Sequence, residues 1–396
     1  MIFSGIFMSV EDSRKRLLEV ERRLNEIVIG HENFVRALML ASVSGEHIVV
    51  IGYPGTAKSY TVRAFSKLLN ARFYSYLLTK FTTFDELFGV IDIPSLTRGE
   101  YKRNWSRIVS SEFIFLDEIF KANSAILNAL LSLLQERVIY DPMSGSEMNT
   151  QLWTAVGASN ETPDDPELQA LYDRFAIKIF ISYLDDDALL RRALESRWGN
   201  GFSIANLSPI ASMSDIKTLH SYAMSLMNMN IEGLGSMWTI YQEYIMPVIK
   251  RMRERGILVS DRTIIEKMPK LFASYIVLYG MVNNELDVNS IMTASFELVK
   301  YLARTRDELK DIEKAIEDSM GDVAELSKKL EKAREYLNAF DIINAEKVIR
   351  EILNYDVSKL EKTPWLKPQV EAILHMAREY LSYITKIKEE LKRFKK

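Results

Sequence analysis

The stretch IVVIGYPGTAKSYTVRAF, residues 48–65, has the pattern of a buried strand, a tight loop and a helix. The loop brings together Gly52, Pro54, Gly55, Thr56 and Ala57 just before Lys58, Ser59 and Tyr60. The backbone N–H groups of such a loop, and those at the start of the helix that follows, point into a single pocket of the size of an anion. We therefore expect a phosphate-binding loop, in which Lys58 reaches the β- and γ-phosphates of a nucleotide and Ser59 places its hydroxyl on Mg²⁺. The usual pattern has glycine before the lysine, where this chain has Ala57.

A second apolar strand, Phe113–Leu116, is followed directly by Asp117 and Glu118. Asp117 is suited to hold the magnesium through water, and Glu118 to polarise the attacking water as a general base. A strand end with two solvated carboxylates is the simpler alternative. The gap between Lys58 and Asp117 leaves room for one further strand with its helices, which is typical of the additional-strand class of P-loop ATPases and not of small kinases or Ras-like GTPases.

Three more polar residues stand at the ends of predicted elements. Asn160 lies at the tip of the apolar run LWTAVGASN, where its amide can contact both the attacking water and the γ-phosphate. Arg174, in ALYDRF, follows a helix and is a candidate arginine finger, with a salt bridge to Asp173 as the structural alternative. Arg262, in VSDR, begins a helix of the second domain, from which it is expected to return over the nucleotide.

Short apolar runs alternate with helical patterns along the first half of the chain. The runs predict buried parallel strands at His47–Ile51, Phe73–Leu78, Phe113–Leu116, Trp153–Ala158 and Ile177–Ile181. Helices fit between them, for example at Lys58–Leu69 and Ser124–Glu136. This alternation predicts an α/β domain over residues 1–200, with a doubly wound parallel sheet of about five strands and an N-terminal helix from Ser9 to Gly30.

The second half of the chain is predicted to be helical. Gly199, Asn200 and Gly201 indicate a hinge, and helical patterns at Ser214–Asn228, Trp238–Arg255 and Asp261–Tyr279 predict an all-helical domain over residues 201–300. Residues 301–396 are expected to form a helical extension that ends in a solvated lysine-rich helix after Pro368. Two heptad series predict a coiled coil or helical hairpin, broken at Gly321. They are Leu309, Ile316, Val323, Leu330 and Leu337, and Ile312, Ser319, Leu326, Ala333 and Phe340.

The composition excludes several classes of site. The absence of cysteine rules out disulfides, thiolate metal sites and a cysteine nucleophile, and four scattered histidines argue against a zinc site. With 51 basic and 54 acidic side chains the net charge is -3, so the chain lacks the global basic excess used in non-specific nucleic-acid binding. The apolar first ten residues lack a basic region, and no later run reaches the roughly 20 apolar residues of a membrane span. We therefore expect a cytoplasmic protein.

Taken together, the motifs resemble those of AAA+ ATPases. GYPGTAKS, FDELFG, FLDEIFKANSAILNALLSLLQER, ASNE, LYDRF and VSDR resemble the MoxR family, and Ala57 and the lysine of EIFKAN are similar to its RavA-like branch. The resemblance covers roughly residues 10–280, and RavA-like proteins also carry a further helical module. It implies ATP and Mg²⁺ as cofactors, a helical lid domain, a homo-oligomeric ring expected to be a hexamer, and a partner with a VWA domain. It also implies that Ile27–His31, with Val28 and Ile29, lines the adenine pocket.

Two segments, Gly89–Arg107 and Val138–Leu152, resemble the helix-2 insert and the pre-sensor hairpin of this clade. We expect both to project toward a central pore, and surface loops without a substrate role are the alternative. The function implied is an ATP-driven remodeller of protein complexes. A nucleic-acid motor is the runner-up; it is favoured only by Arg98, Lys102, Arg103 and Arg107 and opposed by the acidic balance, so nucleic acid is not expected as a partner. A nucleotide-dependent scaffold with little hydrolysis is the third possibility.

Overall fold

The centre of the molecule is a parallel β-sheet. The computed structural model describes residues 2–199, 204–231, 235–282, 285–286, 288–362 and 366–394. Its strands up to residue 181 are β1 (Ile48–Gly52), β2 (Phe73–Leu77), β3 (Gly89–Ile91), β4 (Arg103–Trp105), β5 (Phe113–Asp117), β6 (Val138–Tyr140), β7 (Glu147–Asn149), β8 (Thr154–Ser159) and β9 (Ile177–Ile181). The central sheet has the order β2-β5-β8-β1-β9, with all neighbours parallel. The five predicted strands are therefore confirmed, and the additional strand β2 lies at one edge.

Helices cover both faces of this sheet, as expected for a doubly wound fold. They are α1 (Ile2–Ile27), α2 (Glu32–Ser44), α3 (Lys58–Leu68), α4 (Phe84–Phe88), α5 (Ile93–Thr97), α6 (Ser124–Glu136), α7 (Pro166–Tyr172) and α8 (Asp187–Leu194). Two apolar cores result, one on each face of the sheet. Alternate residues of β1 show the division: Val50 belongs to one core and Val49 to the other.

The second half of the chain contributes further helices to the first of these cores. They are α9 (Met213–Leu226), α10 (Met237–Glu254), α11 (Met268–Tyr279), α12 (Val288–Lys300) and α13 (Arg306–Met320). Helix α9 packs on the N-terminal helix, where Ser13 donates a hydrogen bond to Asp215 at 3.0 Å. Two small antiparallel pairs, at Asn230–Ile231 with Gly235–Ser236 and at Met281–Val282 with Glu285–Leu286, interrupt the helices. Of the predicted hinge, Asn200 and Gly201 lie outside the described residues.

Each of the two inserts contains an antiparallel hairpin. In the first, β3 pairs with β4 and α5 lies between them; in the second, β6 pairs with β7. A buried ion pair joins the two inserts, because Arg103 Nε donates to Asp141 Oδ2 at 2.6 Å. The hydroxyl of Tyr101 donates to the same carboxylate at 2.8 Å. The two inserts are therefore in direct contact with each other.

The C-terminal helices differ from the predicted coiled coil. The predicted break at Gly321 is present, because this residue (φ 49°) separates α13 from α14 (Asp322–Asn338). Helix α14 packs with α15 (Ile342–Leu353) and α16 (Lys367–Phe394) around a third core. Phe340, the last residue of the second series, is 85% exposed because the helix ends at Asn338. Among the described residues, no helix combines the length and the apolar character required to cross a bilayer.

Candidate nucleotide site

The phosphate-binding loop joins β1 to α3 and buries its lysine. Lys58 Nζ donates to the carbonyl oxygens of Gly52 and Tyr53, the latter at 3.0 Å, and to Asn160 Oδ1 at 3.4 Å. Ala57 stands immediately before the helix in the left-handed region (φ 60°, ψ 19°). Gly52 is required by close packing, since a Cβ there would lie 2.4 Å from Ile181 Cγ1 and 2.8 Å from the Ile181 carbonyl oxygen. The backbone of this loop is thus held against the end of β9.

A cavity of about 320 Å³ lies at the carboxyl ends of β1, β5 and β8. Its lining consists of Pro54, Gly55, Thr56, Ala57, Lys58, Ser59, Asp117, Glu118 and Asn160. Asn160 Nδ2 donates to Glu118 Oε1 at 2.8 Å, while its Oδ1 accepts from Lys58. Asn160 therefore connects the lysine predicted to bind phosphate to the carboxylate predicted to activate water.

The electrostatics of this cavity fit a magnesium-bound triphosphate. Burial raises the pKa of Asp117, and the adjacent Glu118 raises it further, although the backbone N–H of Glu118 hydrogen-bonds to its carboxylate. Burial lowers the pKa of Lys58, against the influence of both carboxylates. The cost of burying the charges of Asp117 and Lys58 is therefore only partly offset by the neighbouring groups. A phosphate next to Lys58 and a divalent cation between Ser59 and Asp117 would offset those costs.

A second cavity, of about 340 Å³, adjoins the first on the other side of Ala57. Its walls include the predicted adenine-pocket residues Val28 and Ile29, together with Ile27, His31 and Tyr60. Gly55, Thr56 and Ala57 line both cavities, so a nucleotide in one continuous pose would place its phosphates in the first and its base in the second.

Five residues of the second cavity were not singled out in the sequence: Ser182, Tyr183, Leu184, Leu190 and Ala193. Ser182, Tyr183 and Leu184 follow the end of β9 directly, and residues just beyond the carboxyl ends of parallel strands commonly contact ligands. That rule would have identified them. Leu190 and Ala193 belong to α8, a helix whose position over the loop no local pattern indicates.

Arg174 lies outside both cavities and does not form the salt bridge considered for it. Asp173 instead pairs with Arg304, whose guanidinium donates to both carboxylate oxygens at 2.8 and 3.0 Å. The Nε of Arg174 is buried and has no hydrogen-bond partner among the described residues. The arginine is therefore not held by a local acid.

Arg262 lines neither cavity of its own subunit, and its expected position over the nucleotide stays a prediction. Its guanidinium pairs with Glu266 at 2.8 Å, and it is absent from the linings of both nucleotide cavities. Five residues later, Lys267 donates to the carbonyl oxygens of Asp173 and Arg174. The start of this helix therefore lies beside Arg174, a position that the order of motifs along the chain did not reveal.

Lys121 is a further residue that the sequence reasoning did not assign to the site. Its ammonium lies 3.3 Å from Glu118 Oε2, so the carboxylate is contacted by Lys121 on one oxygen and by Asn160 on the other. The residue is 63% exposed and the pair is one of i,i+3 spacing, which limits its energetic contribution to a few tenths of a kcal/mol.

Comparisons with known proteins agree with this geometry. Residues 15–221 match the sequence family described as the MoxR domain of the MoxR-vWA-β-propeller ternary systems. Two uncharacterised proteins of Methanocaldococcus jannaschii are 28% and 29% identical, over 82% and 69% of this chain and 81% and 69% of their own. The chaperone MoxR1 of Mycobacterium tuberculosis is 25% identical over 45% of this chain and 46% of its own.

A solved structure from Cytophaga hutchinsonii, assigned as an ATPase, superposes with a TM-score of 0.62. It is 18% identical and covers 80% of this chain and 98% of its own, so it supports the fold. The family match spans more than half of the chain and contains the phosphate-binding loop, Asp117, Glu118, Asn160 and Arg174. The RavA-like assignment stays a prediction. The chain belongs to the MoxR family of AAA+ ATPases.

Proposed function

We propose that this protein binds ATP with Mg²⁺ and hydrolyses it. The observation that carries the proposal is the convergence of Lys58, Asp117, Glu118 and Asn160 on one cavity at the carboxyl edge of the sheet. Lys58 would hold the β- and γ-phosphates, and Ser59 and Asp117 would hold the cation, which neutralises charge on the phosphates when it is bound. Glu118 would accept a proton from the attacking water while Asn160 orients it.

The proposal includes a homo-oligomeric ring, taken to be a hexamer. Lys267, in the turn that follows Arg262, contacts the Arg174 backbone, and neither arginine lines the phosphate cavity of its own subunit, so a direct role for them requires a nucleotide on another subunit. In a ring, Arg174 would serve as an arginine finger on the neighbour's γ-phosphate. Arg262 would approach the same site from the lid helix beside it. Such a finger contributes roughly 10³–10⁵ in rate by stabilising charge on the transferring phosphoryl group.

The work done by the ring is proposed to be the remodelling of protein complexes in the cytoplasm. A partner with a VWA domain is supported by the description of the matched family, which comes from systems that contain one. A chaperone role is supported by the name of the mycobacterial relative. The two inserts would contact the substrate, since their tips expose large apolar side chains: Val90, Ile93, Leu96, Tyr140 and Met143.

The division of roles is tested with three substitutions in the intact chain. Lys58→Ala should abolish binding of a fluorescent ATP analogue, because no other buried cation faces the phosphates in this cavity among the described residues. Glu118→Gln and Arg174→Ala should bind the analogue normally and lose turnover. The reason is that Glu118 and Arg174 are expected to stabilise the transition state of hydrolysis and not the bound ATP. Equal loss of binding in all three variants would contradict this assignment.

Assembly in trans is tested by mixing two inactive variants. When Arg174→Ala and Glu118→Gln subunits form mixed rings, some interfaces pair an intact Glu118 with an intact Arg174, so part of the turnover should return. Co-purification of two differently tagged variants verifies that the mixed rings form. If such rings hydrolyse no more ATP than either variant alone, Arg174 does not act across the interface.

A further inference from the structure

The short segment Tyr172–Arg174, which carries the proposed arginine finger, is held by groups from two distant parts of the chain. Lys267 Nζ donates to the carbonyl oxygens of Asp173 and Arg174, at 2.7 and 2.9 Å. Arg304 donates to both carboxylate oxygens of Asp173, and its own carbonyl oxygen accepts from the Tyr172 hydroxyl at 2.8 Å. Every one of these three residues is therefore fixed by a contact from outside the α/β domain.

Lys267 is unusual in its placement for a lysine. It lies at the end of a π-helical turn, Thr263–Lys267, directly before α11, and only 6% of its surface is exposed. Single π-helical turns are frequent at functional sites. A buried ammonium costs free energy unless it is paired, and here it is used on two main-chain carbonyls and not on a carboxylate. Two carbonyls in sequence fix the direction of the backbone between them, and that backbone bears the Arg174 side chain.

Arg304 supplies the second contact from the connection between α12 and α13. This connection runs along the edge of the sheet, where Lys178 N donates to the Tyr301 carbonyl oxygen at 3.0 Å. A single guanidinium nitrogen, Nη2, donates to both carboxylate oxygens of Asp173 and holds the carboxylate by a charge-assisted contact. Since Asp173 is occupied by Arg304, it does not compete for the neighbouring Arg174, whose Nε has no partner among the described residues.

We propose that Lys267 and Arg304 form a clamp that positions the Arg174 finger, and that through it the lid and the C-terminal helices of one subunit control hydrolysis in the next. This finger clamp rests on the proposed function, because it presupposes that Arg174 acts in trans. Lys267 precedes α11 and Arg304 precedes α13, so a displacement of either helix moves the backbone of the finger. A partner that binds the lid or the C-terminal helices would thereby change turnover without touching the nucleotide.

The charged groups around Lys267 allow a pH readout. The titratable groups beside it are Glu46 and His47 before β1, Asp173 and Arg174 before β9, Lys178 in β9, and Arg262 directly before its own turn; His47 is neutral because burial lowers its pKa. Burial, more than any neighbour, lowers the pKa of Lys267 to about 8. The charge-assisted bonds to the finger are present below that pH and weaken as the pH rises through it. Arginine at this position would keep its charge throughout.

The test compares four variants of the full chain with Arg174→Ala in the same assay. Lys267→Met should keep its affinity for the ATP analogue and lose turnover by about ten- to a hundred-fold, the cost of misplacing a group that contacts the transition state. Lys267→Arg should restore much of that turnover and remove the decline that the wild type shows above about pH 8. Arg304→Gln should resemble Lys267→Met, which keeps the clamp testable if one variant fails to fold. Lys270→Met is the matched control, because Lys270 also ties the lid to the α/β domain, through Glu46 at 2.9 Å, but does not contact the finger segment.

Mixing experiments separate the clamp from a general structural effect. Lys267→Met mixed with Glu118→Gln should regain turnover, because the defect lies on the finger side of the interface, whereas Lys267→Met mixed with Arg174→Ala should not. If Lys267→Met hydrolyses ATP within twofold of the wild type while Arg174→Ala is inactive, the clamp is wrong and the proposed function stands. The clamp is also overturned if Lys270→Met loses as much turnover as Lys267→Met. If Arg174→Ala keeps its turnover, the finger assignment and the clamp are both wrong.

Discussion

Two residues of the nucleotide site adopt the left-handed backbone conformation without being glycine. Ala57 has φ 60° and Glu118 has φ 54°. A Cβ in this region clashes with the following carbonyl oxygen and costs roughly 1–2 kcal/mol. Ala57 directs the loop into α3, and Glu118 turns its carboxylate toward Asn160. Backbone strain at both positions is consistent with a site whose geometry is imposed by the surrounding fold.

The strain at Ala57 leads to a prediction about stability. Ala57→Gly should raise the free energy of unfolding by about 1 kcal/mol, since glycine adopts this conformation without a clash and the relief exceeds the added entropy of the unfolded chain. A denaturant titration in the absence of nucleotide measures it. Ala64→Gly is the control: Ala64 is buried within α3, so the same substitution should lower stability by about 1 kcal/mol. A loss of stability in both variants would show that Ala57 is not strained.

At the scale of elements, the ion pair between Arg103 and Asp141 joins two inserts that are separate in the sequence. Both side chains are almost completely buried, at 2% and 1% exposed. Burial alone would raise the pKa of Asp141, but hydrogen bonds from Arg103, Tyr101 and two backbone N–H groups outweigh it and lower the pKa to about 2. The carboxylate therefore stays charged, and its contribution to stability is present above the ordinary pKa and lost only as the pH falls toward 2. The inserts should move as one unit.

Removal of one partner of this pair tests that coupling. Arg103→Met should destabilise the contact by roughly 3–5 kcal/mol, because Asp141 is left as a buried and unpaired charge. Hydrogen-exchange mass spectrometry should then show faster exchange in both hairpins, β3-β4 and β6-β7. Arg98→Met makes the same chemical change at an exposed position of the first insert and should leave exchange unaltered. Faster exchange confined to the β3-β4 hairpin would mean that the inserts are independent.

At the scale of the whole molecule, the helices α14, α15 and α16 form a core of their own. Its centre includes Val323, Ala345, Ile349 and Ala377, none more than 1% exposed. A cavity of about 920 Å³, larger than either nucleotide cavity, separates this core from α10. The lining of this cavity contains none of the residues predicted to bind the nucleotide, so the cavity is not part of the nucleotide site. The C-terminal helices should thus be separable from nucleotide binding.

We expect Val323→Asp to destabilise the C-terminal helices while binding of the ATP analogue at Lys58 stays intact. An unpaired carboxylate in an apolar core costs several kcal/mol, more than the 0.3–1 kcal/mol that an acid gains at a helix N-terminus. Ile343→Asp is the matched control. Val323 is the second residue of α14 and Ile343 the second residue of α15, but Ile343 is 79% exposed. Thermal unfolding and hydrogen exchange over residues 322–394 should change in the first variant only. Unchanged exchange in Val323→Asp would remove the support for an independent core.

The sequence by itself determined the parallel sheet, the strand, loop and helix around Lys58, and the residues that follow the strands of the sheet. These features are local: a strand buried on both faces must be a continuous apolar run, and side chains at the carboxyl ends of parallel strands share one edge of the sheet. The positions of Asp117, Glu118 and Asn160 near Lys58 therefore follow from the sequence pattern alone. The heptads also predicted burial correctly for Val323 and Leu326, because a helical period marks the buried face wherever the helix packs.

Only the tertiary structure decided how distant parts of the chain meet. Periodicity cannot tell which helices share a core, so the expected coiled coil proved to be three packed helices, with Phe340 exposed beyond the end of α14. The same limit applies to Arg262, which pairs with Glu266 and lines neither nucleotide cavity, and to the contacts of Lys267 and Arg304 with the finger segment. Those contacts join residues about 90 to 130 positions apart, and the burial that strengthens the bonds of Lys267 exists only in the complete fold.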